Sequence, residues 1–298
     1  MAQLPHELCP ADAFRIEPPE AQGLQHLSGA FNTLSKCRYG WMLYHSNDWY
    51  LGGAMHKYGE YSEGEVAMFR QLLGPGDVVV EAGANFGALT VPMAQLVGPQ
   101  GMIYAFEPQR LVYQGLTANI ALNSLPNVTT MHAGLGAAYG SLHVPILDPT
   151  HRQSFGGFSI TGHSAGEKVA VLTIDSLELA QCRMIKVDVE GMECEVLEGA
   201  RETIARLKPI LYVENDRPEY SSRLIAQIQD MGYRLWWHLP PLYNANNFRG
   251  DPENIYGNIV SINMLCLPRE VAININLPEI RSPDEDWRVA AAKLASLT

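Results

Sequence analysis

From residue 77 onward, short apolar runs alternate with segments whose apolar positions recur every three or four residues. The runs at 77–81, 102–106, 128–132, 184–189, 210–214 and 233–237 are rich in β-branched and aromatic residues and read as buried strands. The segments at 88–97, 110–123, 192–207 and 220–231 carry helical spacing. This alternation predicts an α/β fold, doubly wound, with a mostly parallel sheet covered by helices on both faces. A helix is also expected over 63–73, where Val66, Phe69 and Leu73 share one face and Gly74-Pro75-Gly76 stops it. Residues 134–175 break the rhythm, with β-like pieces at 141–146 and 169–172 around a mobile loop expected over 151–166. An Asn- and Pro-rich loop (238–258) precedes a last strand at 259–267. Ser282-Pro283-Asp284-Glu285 reads as a capping box with proline at the first helical position, predicting a C-terminal helix from there. Residues 1–57 hold no long periodic segment but many aromatics, among them Phe31, Tyr39, Trp41, Tyr44, Trp49 and Tyr50. They predict an N-terminal cap with short strands near 39–44, packed on a main domain of residues 58–298.

Composition narrows the partners. The net charge is −11 and no basic block is present, which argues against nucleic acid or an anionic membrane. No apolar run reaches spanning length, and residues 1–25 show no signal-peptide pattern. The five cysteines (Cys9, Cys37, Cys182, Cys194, Cys266) are scattered without a C-x-x-C, so a reduced cytoplasmic protein is expected. The sequon Asn127-Val128-Thr129 carries no expected modification in that compartment.

Residues 78–87, Val-Val-Val-Glu-Ala-Gly-Ala-Asn-Phe-Gly, place a glycine turn after a buried strand. The Gly83-x-x-x-Gly87 spacing lacks the extra glycine that lets a backbone approach a pyrophosphate. An adenosyl group with an amino-acid tail suits Glu81, Gly83, Ala84, Asn85, Phe86 and Gly87 better, its carboxylate at the helix N-terminus. S-adenosylmethionine fits that description. Glu107, ending the next strand before Pro108, is placed to take both ribose hydroxyls. Glu63 is expected to fold over the cofactor amino group, and His132 and Gly134 to border the adenine.

In Ile185-Lys186-Val187-Asp188-Val189-Glu190-Gly191 the alternation puts Lys186, Asp188 and Glu190 on one strand face. Charges there must pair or line a cleft. Glu214-Asn215-Asp216 ends the neighbouring strand. Asp188 first, then Glu190, Glu214 or His238, are the candidate bases for an acceptor hydroxyl. A divalent ion such as Mg²⁺, held by Asp188, Glu214 and Asn215, is a less favoured expectation. Asn246, Asn247 and Asn263 are candidates for recognising the acceptor, with a stacking wall from Trp236 or Trp237 and core packing expected for at least one of the two.

Taken together, these motifs resemble those of the FkbM-type methyltransferases, within the class I S-adenosylmethionine-dependent fold. The carriers are Pro75-Gly76-Asp77 through Gly87, Ala105-Phe-Glu-Pro108, Leu172-Thr-Ile-Asp-Ser-Leu177, Ile185 through Glu193, Val196-Leu-Glu-Gly-Ala200, and Lys208-Pro through Glu214. The resemblance implies a seven-stranded, Rossmann-like sheet whose last strand is antiparallel, and methyl transfer to a hydroxyl oxygen of a sugar, small molecule or natural product. It departs from the family pattern at Glu81, where an aspartate is usual. Two other readings stay open: a nicotinamide-dependent oxidoreductase on a Rossmann sheet, and a binding protein on a methyltransferase fold without catalysis. Homodimerisation through the aromatic cap is left open as well.

Overall fold

The computed structural model describes residues 26–295 except 158–162, 272 and 274. Three strands, β1 (His26–Ser28), β2 (Asn32–Cys37) and β3 (Gly40–His45), form a small antiparallel sheet. Helices α1 (Leu51–Lys57) and α2 (Glu63–Leu72) lead into the alternating part. There β4 (Val78–Ala82), α3 (Thr90–Val97), β5 (Met102–Phe106), α4 (Arg110–Leu122) and β6 (Val128–Met131) follow in turn. The excursion folds as a second small sheet of β7 (Gly134–Leu135), β8 (Gly140–Val144) and β9 (Glu167–Leu172), with β9 in the middle. Part of the loop expected at 151–166 lies outside the described residues. Then come β10 (Met184–Val187), α5 (Glu193–Glu198), α6 (Arg201–Leu207), β11 (Ile210–Glu214), α7 (Pro218–Asp230), β12 (Tyr233–His238), β13 (Asn263–Pro268), β14 (Glu279–Ile280) and α8 (Trp287–Ala295).

The central sheet has the order β14-β12-β13-β11-β10-β4-β5-β6. Strands β6, β5, β4, β10 and β11 are parallel, and β13 inserts antiparallel between β11 and β12. Eight strands replace the expected seven, because two residues of the chain after β13 return to pair with β12. The chain order reverses beside β4, so the carboxyl ends of β4 and β10 open a crevice, the position where such sheets bind ligands.

Strand alternation sorts the side chains into two cores. Val79, Ile103, Ala105, Tyr212 and Leu265 face α2, α3, α4 and the N-terminal strands. Val80, Ala82, Ile185, Val187, Leu211 and Val213 face α5, α6 and α7. Each such Val, Leu or Ile buried in full contributes roughly 1.5–3 kcal/mol. On α2, Val66 and Phe69 are sealed and Leu73 just beyond it is buried, as the spacing predicts. The N-terminal strands join this first core through Cys37, Met42 and Tyr44.

Two helices differ from expectation. The segment 192–207 breaks at Gly199-Ala200 into α5 and α6, because the Asp175 carboxylate accepts the N–H groups of Glu202 and Thr203 and starts a second helix. At the C-terminus the capping-box bond forms, with the Ser282 N–H donating to Glu285. The helix nonetheless starts only at Trp287, where Asp286 accepts the Arg288 N–H. Asn127 donates to the carbonyls of Ala94 and Gly98, so its amide ties strand β6 to the end of α3. The four described cysteines are free and buried. No helix among the described residues is long and apolar enough to cross a membrane.

Candidate active site

A cleft of about 640 Å³ opens at the carboxyl ends of β4, β5, β10 and β11. On its β4–β5 side the chain turns sharply. Gly83 has φ +80°, and a Cβ there would fall 1.7 Å from the Asp188 carbonyl oxygen, so only glycine lets the ends of β4 and β10 come this close. Gly83 and Ala84 donate their N–H groups to the Phe106 carbonyl, which fastens the turn to β5. Asn85, also left-handed at φ +50°, donates its N–H to Glu107 Oε2 at 2.9 Å, and Gln109 N–H reaches Glu107 Oε1 at 2.8 Å. Both oxygens of a buried carboxylate are thereby aimed, each with a lone pair to spare.

The β10–β11 side gathers charge. Lys186 is 2% exposed, in register with Glu81 on β4 and Tyr212 on β11. Its Nζ lies 3.1 Å from Asp188 Oδ2 and 3.8 Å from Glu81 Oε1. Burial alone pulls the Lys186 pKa down, but Asp188, Glu81 and Glu65 together hold it above its ordinary value. One oxygen each of Asp188, Glu190 and Glu214 falls within 4.8 Å of the others. Glu190 adopts φ +59° and is held in that costly conformation by an ion pair with Arg217. Burial, then the neighbouring Asp188 and Glu190, push the Glu214 carboxyl well above the usual range. Burial and the neighbouring Asp188 also raise the Glu190 carboxyl, to about 8, so three carboxyls at this spacing resist ionising together and the Glu190–Glu214 pair favours holding a proton.

Of the sequence candidates, Gly83, Asn85, Glu107, Pro108, Asp188, Glu190 and Glu214 line this one cleft. Others are placed elsewhere. Glu81 is 1% exposed and accepts the Thr90 hydroxyl at 2.6 Å beside Lys186, so it underpins the cleft instead of lining it. Ala84 and Phe86 are core residues, with the Phe86 ring edge-on to His45, and the Gly87 carbonyl accepts the Val91 N–H just ahead of α3. Glu63 binds Tyr39 and Arg70 on the outer side of α2. Gly134 is a β7 residue paired with Val171, and His132 stacks on Tyr113 with its ring at the Pro108 carbonyl.

Further differences concern the acceptor and metal candidates. His238 is buried against the Tyr212 hydroxyl at 2.8 Å and is not among the residues lining the cleft, and burial lowers its pKa to about 4, which makes it a weak base. Asn215 turns away from Glu214 and packs on Met264; the third carboxylate of the cluster is Glu190 in its place. Trp236 and Trp237 are both core residues, and Asn247 is spent on its own loop. Asp48, Tyr61, Arg217 and Ser261 line the cleft without having stood out in the sequence. Asp48 sits inside the aromatic stretch His45–Tyr50, where no period or motif marks it.

Burial carries a pH signature. Glu81 and Glu107 are each raised to about 7 from 4.5, chiefly by desolvation. A carboxyl raised in the folded state contributes stability that is complete below its unfolded pKa and lost as pH climbs through its folded one. Melting temperature is therefore expected to drop by roughly 3 °C or more between about pH 5 and pH 8. Calorimetric scans showing a flat or rising trend over that window would mean the two carboxyls are already compensated.

The chain's motifs have recognisable relatives. The family model described as the methyltransferase FkbM domain matches residues 81–235, more than half of the chain. The chain belongs to the FkbM methyltransferase family. The FkbM chain is 27% identical over 191 residues to the methyltransferase sdnD of Sordaria araneosa, covering 53% of this chain and 73% of that protein. It is 29% identical over 143 residues to the hexuronic acid methyltransferase AglP of Haloferax volcanii, covering 46% of this chain and 56% of AglP. Among solved structures, an FkbM methyltransferase from Methylobacillus flagellatus is similar at 16% identity and TM-score 0.43, over 67% of this chain and half of that one. A precorrin-6y C5,15-methyltransferase from Geobacter metallireducens is similar at 12% identity and TM-score 0.43, over 68% and 86%. The matched FkbM segment runs from β4 into β12, and β13, antiparallel beside β11, lies beyond it.

Proposed function

We propose that the protein transfers a methyl group from S-adenosylmethionine to a hydroxyl oxygen, the acceptor being a sugar or a similar hydroxylated small molecule. The observation that carries this reading is the charge of the cleft. Among the described residues seven acidic side chains line it (Asp48, Glu107, Asp188, Glu190, Glu214, Asp216, Glu219) against the guanidinium of Arg217, so the cleft stays net acidic with the Glu190–Glu214 pair holding a proton. A cationic sulfonium with an ammonium tail suits such walls, and the pyrophosphate of a dinucleotide is repelled. Glu107, with both oxygens aimed by backbone N–H groups, suits a ribose diol. The similarity to AglP, named for a hexuronic acid, supports a sugar acceptor.

Bound S-adenosylmethionine supplies a methyl carbon that is already electrophilic. What the chain adds is alignment and a place for the proton. Asp188, at the carboxyl end of β10 and pinned by Lys186, accepts the hydroxyl proton as the new bond forms. The raised Glu190 and Glu214 carboxyls favour a proton on that pair, which spares Asp188 a second negative neighbour.

Titration with S-adenosylhomocysteine tests the donor half directly. Binding is expected to tighten as pH rises from about 6 to about 8, because only the ionised Glu107, whose pKa is raised to about 7, offers all its acceptor positions to the diol. Glu107→Gln should weaken binding about tenfold or more and flatten that dependence. Absence of any binding by the unmodified protein would falsify the proposal.

A further inference from the structure

One part of S-adenosylmethionine is left without a place. The acidic walls of the cleft suit its sulfonium and its ammonium, yet they repel the carboxylate on the same tail. Sequence spacing predicts that carboxylate at the helix N-terminus beyond the glycine turn, but the turn offers it nothing. The N–H groups of Gly83 and Ala84 go to the Phe106 carbonyl, that of Asn85 to Glu107, that of Phe86 to Asn85 Oδ1, and that of Gly87 to the Ala84 carbonyl. Thr90, the first residue of α3, is sealed in the core and gives its hydroxyl to Glu81. Anion binding at a helix start needs unspent N–H groups, and from Gly83 to Gly87 each already has an acceptor.

The guanidinium of the cleft is committed as well. Arg217 pairs with Glu190 and lies 3.8 Å from Asp216. Among the hydroxyls, Ser261 is turned to that of Ser62 at 3.3 Å, and Tyr50 is exposed beside a second cavity. Asn85 stands on the Glu107 side, where a ribose is held.

Tyr61 is different. It lies between α1 and α2, lines the cleft, and packs its ring against two hydrophobic cores. Its hydroxyl makes no hydrogen bond among the described residues and is not one of the sealed polar atoms, so it keeps open surface. Asp188 and Glu214 are near enough to act on it, which puts it over the strand ends where the methyl group is transferred. Burial, then Glu65 and Asp188, push its pKa well above the ordinary value, so it stays an O–H donor. A neutral donor of this kind can receive an anion that a crowd of carboxyls would otherwise expel.

Resting on the methyl-donor reading above, we infer that the Tyr61 hydroxyl donates to the carboxylate of the cofactor's amino-acid tail, in place of the helix N-terminus. Held there, the tail fixes the sulfur and points its methyl group along one line toward the acceptor.

Calorimetry with two probes tests this. One is S-adenosylhomocysteine; the other is S-adenosyl-3-thiopropylamine, which keeps adenosine, sulfur and ammonium but lacks the carboxylate. Tyr61→Phe retains the packed ring and removes the donor alone. It is expected to weaken S-adenosylhomocysteine about tenfold or more, and to leave S-adenosyl-3-thiopropylamine within about twofold. Unchanged affinity for S-adenosylhomocysteine overturns the inference. Equal weakening of both probes overturns it too, since a structural role or a contact with the adenosine gives that result. If the unmodified protein binds neither probe, the methyl-donor reading itself falls, and the two failures are told apart in one experiment.

Discussion

Replacing Asp188 by Asn is expected to lower kcat by roughly two to four orders of magnitude while S-adenosylhomocysteine affinity stays within about threefold. The substitution keeps shape and removes basicity. The Asp188 side chain is 35% exposed toward the cleft, with Lys186 at 3.1 Å fixing one oxygen and leaving the other for the acceptor. Neither alternative base is as well placed: burial raises both Glu214 and Glu190, and Glu190 is engaged by Arg217. Single-turnover kinetics beside calorimetry separate the two readouts. Equal losses in both would move Asp188 from proton acceptor to cofactor ligand.

Lys186→Met is expected to cost about 3–5 kcal/mol of stability near pH 8, the range for stranding a buried ion partner. Lys186 is the cation among Glu81, Glu65 and Asp188, and the first two are buried almost completely. Without it, Glu81, already raised to about 7, must take up a proton. The penalty should therefore shrink near pH 5, where that proton is abundant, and Glu81→Gln in the same chain should restore part of the loss. Denaturant unfolding at the two pH values decides it. A loss under about 1 kcal/mol at pH 8 would show that Lys186 does not neutralise the pair.

Much of the site was legible because its logic is local. Val78–Gly87, Met102–Pro108 and Ile185–Gly191 each carry strand, turn and chemistry within ten residues, so period and residue type together place Gly83, Glu107 and Asp188 at strand ends. The residues that sequence misplaced depend on partners far along the chain. Glu63 was captured by Tyr39 and Arg70, His238 by Tyr212, and Asn215 by Met264. Asp48 shows the converse, since nothing within His45–Tyr50 hints that it meets the 153–157 segment at the cleft.

The amino-acid sequence alone determined the alternation of strands and helices, the face each strand side chain takes, and the glycine turn that closes on β5. Those follow from backbone sterics and from periods of two and 3.6 residues, which act over neighbours. Tertiary structure alone decided which carboxyls are raised by crowding, which are neutralised by Lys186, and which side chains line the cleft. Such outcomes depend on burial and on distances of a few ångströms between elements remote in the chain, where desolvation and charge pairing compete.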